Sequence, residues 1–247
     1  VVSAEGRMYP VETIFVPRPA EERVSDRTAA TVRRALHEHP GSILAFLPGE
    51  GEIRATAESL WQSADSATDI APLYAALPKA EQDAALAPSP PGRRKVVLAT
   101  SIAESSLTIE GISAVVDSGA VRVSRFSHAT GMSRLETVRI TRDRADQRRG
   151  RAGRLGPGTC YRIWSEDEDR ALDPSSPPEI LTADLADVVL QCADWGSSTP
   201  DSLPWLTPPP ANTWKQAVEL LRALDALDSQ GSITPHGRLM TRLGAHP

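Results

Sequence analysis

Residues 41–48 read Gly41-Ser42-Ile43-Leu44-Ala45-Phe46-Leu47-Pro48, five apolar residues in a row held between turn formers. An apolar run without alternation, ended by proline, suits a strand covered on both faces. Residues 20–39 before it and 50–62 after it carry helical spacing. Helix, buried strand, helix is the rhythm of a parallel sheet. The rhythm repeats downstream, with strands expected at 70–74, 95–99 and 112–116 and a helix at 79–86. The expected fold class is therefore α/β, a doubly wound parallel sheet with helices on both faces.

Residues 121–140 break that rhythm. Their types alternate on either side of a polar turn near 127–131, which predicts a β-hairpin projecting from the sheet. A helix at 143–151 and a last strand at 158–164 complete the unit. The proline-rich stretch 174–178 marks a boundary, so 1–173 reads as one domain and 174–247 as a second. Helices at 183–195 and 213–227, a short wing at 229–234, and Pro235 in the first turn of another helix predict a small winged-helix-like domain.

Bulk properties exclude several classes. Cys160 and Cys192 lie far apart without a C-x-x-C spacing, which argues against a zinc site or a disulfide framework and for a reducing compartment, expected to be the cytoplasm. No apolar run approaches the ~18 residues of a membrane span. The five histidines are scattered, and Trp195, Trp205 and Trp214 suit the core or docking face of the second domain. A net charge of −5 would discourage nucleic acid as a partner, but the charge is uneven. Between residues 121 and 154 stand ten arginines against Glu136, Asp143 and Asp146, whereas Glu166 to Asp169 are all acidic. A basic stretch within an acidic protein suits a polyanion bound on one face.

Two segments carry chemistry. In Gln147-Arg148-Arg149-Gly150-Arg151-Ala152-Gly153-Arg154, the three-residue spacing sets Arg151 and Arg154 on one side of a helix, and the glycines allow close approach. Planar cations on such a face suit phosphate, either as arginine fingers at a transferring phosphoryl group or as contacts to a nucleic-acid backbone. A solvated basic helix would carry the same spacing. In Ala99-Thr100-Ser101-Ile102-Ala103-Glu104-Ser105-Ser106-Leu107-Thr108-Ile109, hydroxyls crowd the carboxyl end of a buried strand, where open α/β sheets bind ligands. Glu104 could organise the turn or receive an arginine. Helix capping would also account for the hydroxyls. No G-x-x-x-x-G-K-[ST] loop occurs in the chain.

Residues 147–154 resemble motif VI of superfamily 2 helicases. Residues 100–108 with Val115-Val116-Asp117-Ser118-Gly119 resemble motif V of the DEAH/RHA branch, and Phe46-Leu47-Pro48-Gly49-Glu50-Gly51-Glu52-Ile53 resembles its motif IV. The likeness extends from Gly6-Arg7-Met8-Tyr9-Pro10-Val11-Glu12 to Leu243-Gly244-Ala245-His246-Pro247, essentially the whole chain. It implies a second RecA-like domain followed by the start of a helical carboxyl-terminal region, working with ATP and Mg²⁺ on single-stranded RNA or DNA. Arg151 and Arg154 would be the fingers reaching the γ-phosphate, with Gln147 positioning water. Ser106 and Thr108 would contact nucleotide, with Glu110 near the ribose. Gly49, Thr100 and Ser101, with Arg122 and Arg125 of the hairpin, would hold nucleic-acid phosphates. The P-loop and the metal-binding box would lie in a first RecA-like domain of the same full-length protein, ahead of Val1, so this chain is expected to hydrolyse no ATP by itself. Ser101 stands where the branch commonly has Asn, Ser105 where it has Thr, and Leu86 where an aromatic stacks on adenine, so nucleotide selectivity should be weak. A different class of protein, a nucleic-acid-binding module that never touches ATP, could use the same arginines.

Overall fold

The computed structural model describes residues 9–63, 65–104, 109–127 and 132–243. Its backbone runs β1 (Val11–Phe15), α1 (Val24–Glu38), β2 (Ser42–Phe46), α2 (Glu50–Trp61), β3 (Thr68–Leu73), α3 (Lys79–Leu86), β4 (Arg94–Ala99), β5 (Ile112–Asp117), β6 (Ala120–Ser127), β7 (Met132–Arg139), α4 (Arg142–Gly150) and β8 (Gly158–Arg162). After these come α5 (Glu166–Arg170), α6 (Ala186–Asp194), α7 (Ala211–Ala223) and α8 (Pro235–Leu243). Among the described residues, six strands form one parallel sheet in the order β1-β8-β5-β2-β4-β3, and β6 with β7 forms the expected hairpin.

The apolar run behaves as its composition dictates. All of β2 is buried, and its side chains divide between the two faces. Ile43 and Ala45 join Val32 and Ala35 of α1 and Ile53, Ala57 and Leu60 of α2 in one core. Leu44 and Phe46 join Val97, Val115, Ala85 of α3 and Ala103 and Ala152 in the other. Parallel strands place all their carboxyl ends on one edge. The turns at Gly49, Thr100 and Ser118 therefore share that edge.

The structure corrects two expectations. Val11–Phe15, which carries no strand in the sequence reading, forms the edge strand β1, with Val11 opposite Gly158 in β8. The helix expected at 143–151 ends at Gly150, and Arg151–Gly153 tightens into a 3₁₀ turn.

By contacts the chain divides into two compact units. One takes in the described residues up to Val123 with Thr137–Ser176, and the other Ser124–Glu136 with the residues from Pro177 onward. The second unit has its own core, built from Leu185, Val189 and Leu190, Trp214 and Leu221, and Leu227. An antiparallel bridge between Leu227 and Ile233 forms the wing ahead of α8. Trp214 is buried and meets Trp205 edge to face at 6.3 Å, whereas Trp195 is exposed.

Candidate functional site

Four charged residues meet beneath α4. Arg148 is 0% exposed, and its guanidinium lies 4.8 Å from the centre of the Phe46 ring. Burying a cation is costly unless it is paired. Arg148 Nε donates to Glu104 Oε1 at 2.7 Å and Nη1 donates to Asp117 Oδ1 at 2.7 Å. Burial works against the Arg148 charge, yet the two carboxylates raise its pKa above the ordinary value. Glu104 Oε2 accepts from Arg144 Nε at 2.9 Å and Nη2 at 2.7 Å. Asp117, wholly buried at the end of β5, also accepts the Gly119 N–H at 2.9 Å.

The following turn sets the two nominated arginines apart in depth. A 3₁₀ helix brings residues three apart into line, which keeps Arg151 and Arg154 on one side. Arg151 is 7% exposed; its Nε donates to the Glu104 carbonyl at 3.1 Å, and its Nη2 donates to the same oxygen. Arg154 is exposed. Burial, and next the charge of Arg154, lower the Arg151 pKa. Gly153 permits the tight approach, since a Cβ there would stand 2.7 Å from the Tyr9 carbonyl oxygen.

Arg151, Arg154 and Gln147 line one open cleft of about 880 Å³, together with Tyr9, Glu104 and Arg149. Gln147 is exposed on the last turns of α4. Glu110 is exposed in the turn before β5, next to Ile109, which lines a small cavity together with Arg151 and Arg154. Ser106 and Thr108 lie outside the described residues. Leu86 is half-buried and packs against the Leu44 and Phe46 core.

Gly49, Thr100 and Ser101 lie at the carboxyl edge of the sheet, with Arg122 against Gly49. Gly49 caps α2 in extended conformation and is buried beneath Arg122, whose Cζ would stand 2.6 Å from a Cβ at that position. Arg122 pairs with Glu52 at 3.3 Å. Thr100 and Ser101 are half-buried at the end of the neighbouring strand, where Thr100 N–H donates to the Leu73 carbonyl at 3.2 Å. Arg125 lies farther out on β6, in the other unit, paired with Glu136 at 3.3 Å. Thus Gly49 and Arg122 are in direct contact, and Arg125 belongs to the other unit.

Sequence reasoning missed the depth of Arg148, which it counted among a row of surface bases. Asp117 held the available signal, because an acid closing an apolar strand needs a buried cation. Among the described residues, no group of His, Cys, Asp and Glu could hold a metal, and no helix is long and apolar enough to cross a membrane. Burial pushes the Cys160 thiol up to about 12, which leaves it an inert core residue.

A family model described as "Helicase conserved C-terminal domain" matches residues 27–156, and one described as "Helicase associated domain (HA2), winged-helix" matches 217–244. The chain is 42% identical over 247 residues to ATP-dependent RNA helicase HrpB of Escherichia coli (strain K12), covering 100% of this chain and 30% of that protein. It is 40% identical over 254 residues to pre-mRNA-splicing factor ATP-dependent RNA helicase prp22 of Schizosaccharomyces pombe, covering 100% of this chain and 22% of that protein. A crystal structure of Escherichia coli DEAH/RHA helicase HrpB has a TM-score of 0.90 at 42% identity, over 97% of this chain and 30% of that one. The chain thus spans less than a third of the length of these relatives. The parallel sheet, the hairpin between β5 and α4 and the helical second unit recur with the matched sequence, and the chain belongs to the helicase conserved C-terminal domain family, in the DEAH/RHA branch of superfamily 2.

Proposed function

We propose that this chain is the carboxyl-terminal half of an ATP-dependent RNA helicase motor, a second RecA-like domain whose arginines act on ATP held by a first one in the same full-length protein. The observation that carries the reading is the Arg151–Arg154 pair. One guanidinium is drawn inward and oriented by the Glu104 carbonyl, and the other is exposed on the same cleft. Arginine stays charged even when burial and a like neighbour oppose it, so a polyphosphate entering the cleft would relieve both penalties. Arg151 and Arg154 then stabilise charge on the γ-phosphoryl group, and Gln147 orients water. Ser106, Thr108 and Glu110 are assigned to the nucleotide by resemblance. Mg²⁺, which would neutralise the phosphates, is assigned by resemblance to the first domain.

Single-stranded RNA, or DNA, would cross the carboxyl edge. Arg122, over Gly49, meets its phosphates first, and Thr100 and Ser101 extend the track along the next strand end. Arg125 contacts the strand from the hairpin. Such contacts position a strand without reading its bases. The test is Arg151→Ala and Arg154→Ala in the full-length protein, measured as ATP turnover at saturating RNA beside RNA affinity. Turnover should fall by about 10³-fold or more with affinity nearly unchanged. The reverse result, weaker binding at intact turnover, would identify a nucleic-acid-binding module instead.

A further inference from the structure

Another hollow, of about 330 Å³, opens past the carboxyl ends of β1, β5 and β8. Arg18 lines it with Ser118, Trp164 and, from the end of β7, Arg139. Three of its features call for an anion. Arg18 is half-buried, and its Nη1 donates to the carbonyls of Pro19, Ala20 and Glu22. A guanidinium carries further donors on Nε and Nη2, and among the described residues these meet no acceptor and no carboxylate. Ser118 is 9% exposed, and its Oγ has no hydrogen-bond partner among the described residues. Buried polar groups are normally satisfied, so such a hydroxyl marks a place for a ligand atom. The third feature is α1, which begins at Val24 on the wall of the hollow, while its N-cap residue Arg23 supplies no side-chain cap. The positive end of that helix therefore lies on the same side. Of the charged lining residues, Arg18 and Arg139 outnumber Glu168, which is already held by Arg139 at 3.3 Å and by the Ser165 N–H at 2.7 Å.

We propose that this hollow is a further phosphate subsite for the nucleic-acid strand, with Arg18 and Ser118 as its donors, an inference that rests on the strand-contact reading of the carboxyl edge. Its place on the sheet selects the strand over the nucleotide. The cleft of Arg151 and Arg154 reaches β1 at Val11, its amino end, whereas Arg18 lies past Phe15 at the other. Five residues at ~3.3 Å each set the two roughly 16 Å apart. Gly49, in contrast, follows β2, the neighbour of β5, and β8 comes next in the sheet. Adjacent strands stand ~4.8 Å apart, so the ends of β5 and β8 continue the line of Thr100 and Gly49 by about 5 and 10 Å. Val24, Ile163 and Trp164 give the hollow an apolar wall suited to sugar carbons. Donors aimed at phosphate oxygens hold a strand without reading its bases.

The experiment compares Arg18→Gln, Arg18→Lys, Ser118→Ala and Arg122→Gln in the full-length protein, with a labelled single-stranded oligonucleotide and inorganic phosphate as probes. Strand affinity is read by fluorescence anisotropy across a salt series. Arg18→Gln should weaken binding about fourfold near 0.15 M salt and make the slope of log affinity against log salt shallower by about 0.7, the loss of one phosphate contact on a single strand. Arg18→Lys should restore the slope. Ser118→Ala removes a neutral donor, so it should cost about threefold with the slope unchanged. If Arg122→Gln weakens binding while Arg18→Gln and Ser118→Ala change neither affinity nor slope, this inference falls alone. If none of the three weakens binding, the strand-contact reading falls with it. Inorganic phosphate that binds the wild type and is lost in Arg18→Gln, at intact strand affinity, would assign the hollow to a free anion and overturn the inference. If Arg18→Gln loses its thermal unfolding transition, Ser118→Ala decides.

Discussion

Arg148 occupies a place that composition alone would assign to an apolar side chain. It lies beside Phe46, closed to solvent, and two carboxylates from different segments complete it. Removing one partner of such a group leaves the other charges buried and uncompensated. Arg148→Met should therefore destabilise the domain by about 3–5 kcal/mol in a denaturant titration, and pairing it with Asp117→Leu should recover part of the loss. A cost within about 0.5 kcal/mol, as for an ordinary surface change, would show the cluster to be solvated and the packing argument wrong. The same residue shows what sequence spacing conveys and what it omits. Spacing assigns Arg151 and Arg154 to one side, and they do line one cleft. Depth is a property of the sheet beneath, so nothing in residues 147–154 distinguishes inward Arg148 from outward Gln147.

Secondary-structure elements were more legible where burial is strongest. β2, β4 and β5 were readable because strands covered on both faces leave apolar runs, and β6 with β7 because their alternation differs from that background. β1 was not, since Val11-Glu12-Thr13-Ile14-Phe15 is short, mixed in polarity and covered by a partner strand on one edge only. The change from α4 to a 3₁₀ turn was equally hidden, because it follows from Gly153 fitting against Tyr9, a contact across the fold. The hairpin carries a prediction at this scale. It exposes Met132 and Leu135, while Arg125 and Arg134 share Glu136. Replacing residues 126–133 by a two-residue Asn-Gly turn in the full-length protein should abolish duplex unwinding while strand-stimulated ATP hydrolysis persists. Unwinding at its original rate would leave the hairpin without a part in strand separation.

For the whole molecule, the acidic total and the run of arginines between residues 121 and 154 make a joint prediction about binding. Contacts confined to phosphates should give weak, sequence-independent affinity for single strands. With about three phosphates neutralised, log affinity should fall against log salt with a slope near −2. Fluorescence anisotropy with several unrelated oligonucleotides across a salt series measures it, and tight, salt-insensitive binding to one sequence would refute it. The strand order has another consequence, for the chain as it leaves the ribosome. Among the described residues β1 is the first strand of this sheet to be made, yet its one neighbour there is β8, the last, roughly 150 residues later. At ~5–20 residues per second, that is on the order of ten seconds in which β1 waits without a neighbour and β5 offers an open edge. β8 must then enter between them, so the nascent domain cannot close its sheet until synthesis has passed Arg162. During that interval its two unfilled edges are the places where a chaperone would bind, or where a neighbouring nascent chain would pair in error.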